Sequence, residues 1–188
     1  MKRILSITIV LLASITMAFA QAKGDGEFHF HTFIQLMNFG AQGKNLSFYS
    51  NYAKNAGLTQ IYEQKDHEEL YYVWAKDVTY SKGHMTETYT KTGNSPKAMN
   101  VDVIPTKKGL YVPMTVTLIF NDAKAQKRFR DEGIKYGCEE NSEIYSTDVD
   151  PTWSNVSCIK YRKHKLNKSW RYIFFYEKDG MHMCTFLF

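Results

Sequence analysis

Hydrophobic and polar positions follow two different periods along this chain. Phe28-His29-Phe30-His31-Thr32-Phe33 alternates with a period of two. That spacing predicts a strand with rings on one face and His29 and His31 on the other. Ile34, Leu36, Met37 and Phe39 then loosen into one or two helical turns, stopped by Gly40 and Gly43. Asn45 predicts the cap of a helix over 45–57. Leu46, Tyr49, Ala53 and Ala56 form its buried side and Gly57 its end. Period two returns at 58–63, 68–80, 85–91 and 98–104, with turns at Ser81-Lys82-Gly83 and Thr92-Gly93-Asn94-Ser95-Pro96. The run 110–120 is rich in β-formers, and Pro113 inside it predicts an edge position or a fresh start, because proline has no N–H to donate. Over 122–136 the period becomes helical. Asn121 or Asp122 caps it, Ala125, Phe129 and Ile134 face inward, and Gly137 ends it. Strands follow at 143–147, 156–163, 170–177 and 181–188.

This order is one theme used twice: a capped helix, then an antiparallel meander. The fold class it predicts is α+β, an antiparallel sheet with two packed helices that cover one face. The halves span 45–104 and 122–188 of a single domain at 21–188. A lipocalin-like β-barrel with an accessory helix is the alternative, and it needs the strands to close without a break at 122–136. Tandem helix-plus-meander units resemble the fold of secreted β-lactamase inhibitor proteins. The resemblance lies in element order alone, so it implies a fold and carries no residue or activity with it.

The first 20 residues predict an address. Lys2 and Arg3 precede an apolar run from Ile4 to Ala18, which closes on Ala18-Phe19-Ala20 before Gln21. A positive start, a short apolar stretch and a small-x-small ending form a secretory signal peptide at 1–20. The run is too short and too interrupted by Ser and Thr for a stable membrane span. The expected location is therefore periplasmic or extracellular.

Composition adjusts this picture in two ways. The formal charge of +5 falls to +3 once Lys2 and Arg3 leave, with 22 basic against 19 acidic residues. So small a surplus, without a recognisable module, argues against nucleic acid as a partner. The 13 Tyr, 12 Phe and 3 Trp favour strands, whose pleated faces accept large rings. Cys138, Cys158 and Cys184 are the cysteines. An oxidising compartment permits one bridge among them. Cys138 with Cys158 would tie a helix end to the next strand, and Cys158 with Cys184 is the rival pair.

Candidate chemistry is sparse. His29 and His31 share one face of the expected strand and are weak candidates for a metal site, lacking a third ligand in a fixed frame. No Gly-x-Ser-x-Gly or His-Glu-x-x-His frame is present. No catalytic residue and no cofactor is assigned. The densest feature is the basic segment 160–171, where Tyr161, Arg162, Lys163, Lys165 and Trp170 are binding candidates. The bland reading of that segment is an edge hairpin guarded by lysines. Trp153, in a polar loop after Pro151, is a further anchor candidate. The pattern thus favours a secreted non-enzymatic binding protein that meets an anionic macromolecule, glycan or protein. The alternative is an exported hydrolase or metal-dependent enzyme acting on cell-envelope material. The leader sets the first measurement. N-terminal sequencing of exported protein is expected to begin at Gln21, and secreted material that still starts at Met1 would remove the address.

Overall fold

The computed structural model describes residues 25–40, 47–65, 69–83, 86–105, 111–143, 149–162 and 170–187. The expected signal peptide, the expected Asn45 cap, Lys163 and Lys165 lie outside these residues. Three helices pack on antiparallel sheet: α1 (Phe30–Gly40), α2 (Ser47–Asn55) and α3 (Ala123–Tyr136). The strands are β1 (Thr59–Lys65), β2 (Leu70–Lys76), β3 (Val78–Lys82), β4 (Glu87–Lys91), β5 (Lys97–Pro105), β6 (Tyr111–Phe120), β7 (Glu139–Asn141), β8 (Ser154–Tyr161), β9 (Arg171–Lys178) and β10 (Met181–Leu187).

Eight strands form one sheet in the order β1-β2-β5-β6-β10-β9-β8-β7, and β3 with β4 forms a separate hairpin. The order reads as two four-stranded meanders joined through their last strands. The first follows α2 and the second follows α3, but the first is not the expected set of strands. The one expected at 85–91 is β4, which pairs with β3 outside this sheet, and β6 takes the fourth place. β6 and β10 pair antiparallel from Thr115 opposite Leu187 to Phe120 opposite His182. β1 and β7 are left at opposite edges, so the sheet is open. The lipocalin-like barrel is thereby excluded.

Register fixes which side chains meet. Tyr72, Trp74, Met99, Val101, Val116, Leu118, Ile173, Phe175, Cys184 and Phe186 face the helices and pack with Phe28, Phe30, Phe33, Tyr52 and Phe129. Their alternates, Tyr71, Val73, Ala98, Ile119, Phe174, Tyr176 and Met183, face the other way. β2 is buried on both faces, because the β3–β4 hairpin covers its second side. That double burial explains its continuous apolar run, Leu-Tyr-Tyr-Val-Trp-Ala.

Several sequence expectations are corrected. Residues 28–33 are not a strand, since α1 begins at Phe30. Phe30, Phe33, Ile34 and Met37 all lie in the core. Their i, i+3, i+4, i+7 spacing makes a helical stripe, and burial of that stripe outweighs the short alternation before it. The expected strand 68–80 breaks in two at Asp77, which takes φ +54°. Its carbonyl accepts from Thr92 N at 2.9 Å and its carboxylate from Ser95 N at 3.1 Å, which pins the hairpin base. A short strand not expected from the sequence, β7, begins at Glu139, and of the strand expected at 143–147 residues 144–147 lie outside the described residues. Pro113 sits in the interior strand β6, beside a register shift after Asp102. Among the described residues β10 pairs with β6 from Thr115 onward, and Pro113 lies opposite Val103 of β5, at the register shift.

α3 shows how local chemistry and packing combine. Asp122 accepts from Ala125 N at 2.8 Å and caps its start. Gly137 ends it at φ +105°, a left-handed geometry that favours glycine, and Cys138 N donates to Gly133 O at 3.0 Å. Gly133 is where the helix comes closest to its neighbours. A Cβ there would sit 2.8 Å from Ile159 Cδ1 and 2.9 Å from Phe30 Cε2. Gly133→Val is therefore expected to cost about 1–3 kcal/mol through overpacking. Urea unfolding should show a lower midpoint at unchanged slope, and an unchanged midpoint would refute this close approach.

Candidate functional site

The candidate site is a groove on the sheet face away from the helices. Its floor comes from β6 and β10: Thr115 and Thr117 on one strand, Met181, Met183, Thr185 and Leu187 on the other. One wall is residues 86–89, at the start of β4. The opposite wall holds Asp150, Thr152, Trp153 and the β9–β10 turn. The groove encloses about 620 Å³ and is open along its top.

Each wall is held by its own interactions. Tyr62, Tyr71, Tyr80 and Tyr89 stack as a cluster under the hairpin, with centroids 4.9 Å apart for Tyr62 and Tyr80 and 5.1 Å for Tyr80 and Tyr89. Asn100 donates to the hydroxyls of Tyr71 and Tyr89 and, at 3.3 Å, to the Glu87 carboxylate. Glu87 is thereby tethered over the middle of the groove. On the other side, Trp153 lies flat on Tyr176 at 3.8 Å between centroids and 8° between planes. Asp150 accepts from Thr152 Oγ1 at 2.6 Å and Thr152 N at 2.8 Å, and pairs with Lys178 at 3.8 Å. These contacts, the Thr152 hydroxyl first, hold its carboxyl below the ordinary value. It stays ionised, which suits a fixed negative charge rather than a proton donor.

The floor carries a short chain of hydroxyls. Thr117 Oγ1 lies 3.0 Å from Thr185 Oγ1, which lies 2.8 Å from the Tyr176 hydroxyl. Burial pushes the Tyr176 hydroxyl well above its usual range, so it remains protonated and able to donate. These polar rungs lie beside the apolar Ile119, Phe174, Met181 and Met183 on the same face.

The structure divides the sequence-derived candidates. Trp153 belongs to the groove. Tyr161, Arg162 and Trp170 gather at the far end of β8 and β9, about 23 Å away along seven strand residues. Arg162 Cζ sits 3.9 Å from the centre of the Trp170 ring and Lys160 Nζ 4.8 Å. Tyr161 packs against the helix-side core, near Tyr136. His29 and His31 do not face one another from a strand. They stand at the start of α1, on the opposite side of the sheet from the groove. His29 pairs with Asp25 at 2.8 Å and Glu132 at 3.4 Å. Burial opposes its charge, but the Asp25 hydrogen bond and both carboxylates outweigh it, and its pKa moves up. His31 lies against Tyr136 and Gln35 instead. Among the described residues no group of three or more His, Cys, Asp or Glu side chains is arranged to hold a metal ion.

The expected disulfide is also corrected. None of the three cysteines is in a disulfide, and all are buried. Cys138 and Cys184 face the helices, whereas Cys158 faces away from them. The sheet itself separates Cys158 from both partners considered for it. Burial pushes the Cys138 thiol up to about 12 and the Cys184 thiol well above its ordinary range, which suppresses the reactive thiolate.

No known protein family, curated protein or solved structure matches this chain. The groove must therefore be read from its own chemistry. No helix among the described residues is long and apolar enough to cross a membrane.

Sequence reasoning did not single out Thr117, Thr185 or Tyr176. A signal was present for two of them. Thr117 and Thr185 are polar residues on strand faces whose neighbours are apolar. Only the β6–β10 register brings them together.

One titrating group lies on the same face. Asp102 has a buried carboxyl oxygen with no hydrogen-bond partner. Burial first, then repulsion from Glu69 and a hydrogen bond with it, push its pKa from 3.8 up to about 6, against the opposing pull of Lys82. The folded state thus binds a proton more tightly than the unfolded chain. Stability from this group is present below about pH 4 and is lost as pH rises to about 6. Asp102→Asn removes the charged form. It is expected to raise the melting temperature relative to wild type more at pH 8 than at pH 4, as checked by calorimetry. An equal difference at both pH values would contradict the raised pKa.

Proposed function

We propose that this chain is an exported, non-enzymatic binding protein whose groove takes an extended segment of a partner protein. One observation carries the reading: the groove follows β10 from Met181 to Leu187 and is open along that length. Six strand steps make about 20 Å, the span of roughly six extended residues. The lining suits a polypeptide. It offers hydroxyls for main-chain groups, aromatic rings on both walls and apolar Met183 and Leu187 for side chains. The groove's apolar end continues outward, since Leu187 is 42% exposed and its β9 partner Tyr172 is 38% exposed.

The enzymatic alternative finds less support. Its two histidines sit across the sheet from the groove, and His29 is already engaged by carboxylates. The Asp150 carboxyl in the groove is held ionised by its own loop. The expectation of an anionic partner rests on 160–171, and 163–169 lie outside the described residues. The described part of that segment presents Arg162 and Lys160 on the Trp170 ring, a separate surface.

A phage-displayed library of random peptides, panned on the exported chain, tests the reading. Recovered peptides are expected to change Trp153 fluorescence on binding. They should lose at least about tenfold in affinity for Thr117→Trp, which fills the floor without adding charge. Thr88→Trp, on the exposed lip, serves as a second block if the first variant melts early. Peptides that bind both variants as well as wild type, or recovery of none, would overturn the proposal.

A further inference from the structure

We infer that the groove selects a segment bearing lysine or arginine, with the cationic side chain held between Glu87 and the turn-end carboxylates. The inference rests on the groove being a polypeptide site and goes on to name the chemistry of its occupant. Three carboxylates line the groove, Glu87, Asp150 and Asp179, against one ammonium, Lys178. Lys178 is paired with Asp150. Neither Glu87 nor Asp179 has a cationic partner among the described residues. The groove therefore carries two negative charges in surplus, on a chain whose net charge is positive.

The placement of these charges gives the groove a direction. Asp150, Lys178 and Asp179 mark the end where β9 turns into β10. Glu87 is tethered above the middle row by Asn100. Leu187 and Thr115 mark the far end, where the charge runs out and exposed apolar surface begins. An occupant that fits has a basic side chain towards the turn end and an apolar one towards Leu187. Rings stand beside the carboxylates on both walls, Tyr89 next to Glu87 and Trp153 next to Asp150. A cation placed among them gains from the aromatic faces as well as from the carboxylates. Low-dielectric walls strengthen that attraction and steer a basic segment inward. An acidic segment would meet Glu87 and Asp179 at the same places and be repelled.

The test uses synthetic hexapeptide pools with Arg, Lys, Ala or Glu fixed at one position and the others randomised. Binding is read by fluorescence anisotropy on wild type and on Glu87→Gln plus Asp179→Asn. Pools with fixed Arg or Lys are expected to bind wild type about tenfold more tightly than pools with fixed Glu. The preference should shrink as salt is raised. The double variant should lose the preference while keeping its melting temperature and its weak binding of the Ala pools. Groove-dependent binding without a basic preference, or a preference that survives in the double variant, would overturn this inference and leave the polypeptide reading intact. Absence of any binding sensitive to Thr117→Trp, or saturable binding of a neutral oligosaccharide such as chitohexaose that Thr117→Trp blocks, would overturn the polypeptide reading itself. Dimerisation of the chain that the double variant abolishes would assign the groove to a second copy and overturn the partner protein.

Discussion

The pairing of β6 with β10 is the interaction on which the rest of this structure depends. Each helix-plus-meander unit is formed largely by neighbours in sequence. The seam between the last strands of the two meanders is not, since it joins residues 115–120 to residues 182–187. It turns two four-stranded sheets into one of eight and places α1 and α3 side by side above it. Phe30, Phe33, Phe129 and Phe186 then meet in a single aromatic core, with ring centroids 4.3 Å apart for Phe33 and Phe186 and 5.2 Å for Phe30 and Phe129. Glu132 of α3 completes the join by accepting the Phe30 N–H at 2.8 Å, satisfying a donor at the start of α1 that the helix itself leaves unpaired.

A sheet of this width has two faces to cover, and the helices cover only one. The β3–β4 hairpin folds over part of the other, pinned at Asp77 and stacked through its tyrosines. The 149–153 loop covers another part through the stack of Trp153 on Tyr176. Between them a strip of β6 and β10 stays open, and that strip is the groove. The groove is thus a consequence of the seam: its floor is the pair of strands that the seam brings together. Its hydroxyl rungs also belong to the seam, because Thr117 and Thr185 are register partners across it.

The charged groups follow the same division. On the helix side, Glu27 pairs with Arg128 at 2.8 Å and Lys97 at 3.6 Å, while His29 bridges Asp25 and Glu132. Opposite signs meet there, and they fix the chain entering α1. In the groove lining the carboxylates outnumber the one ammonium. Matched charges on one side serve the fold; unmatched charges on the other leave a field that a ligand can answer.

The sequence by itself determined the fold class, the existence of α2 and α3, most strand positions and the glycine-terminated helix ends. These are local properties: period, capping and turn chemistry are written within a few residues of where they act. It misread α1, because Phe28 and Phe30 alternate before the helical stripe of Phe30, Phe33, Ile34 and Met37 becomes visible. It left the cysteines ambiguous, because which face of a strand each occupies depends on register. Of the binding candidates it named, Trp153 lies at the groove; a tryptophan in a polar loop stands out on composition alone, but its place in the groove comes from the tertiary structure. Glu87, Thr117, Tyr176 and Thr185 could not be grouped from sequence, as they come from four different strands. Only the tertiary structure decided that grouping. Strand pairing between distant segments is set by the summed burial of two whole faces, and no single segment carries that information.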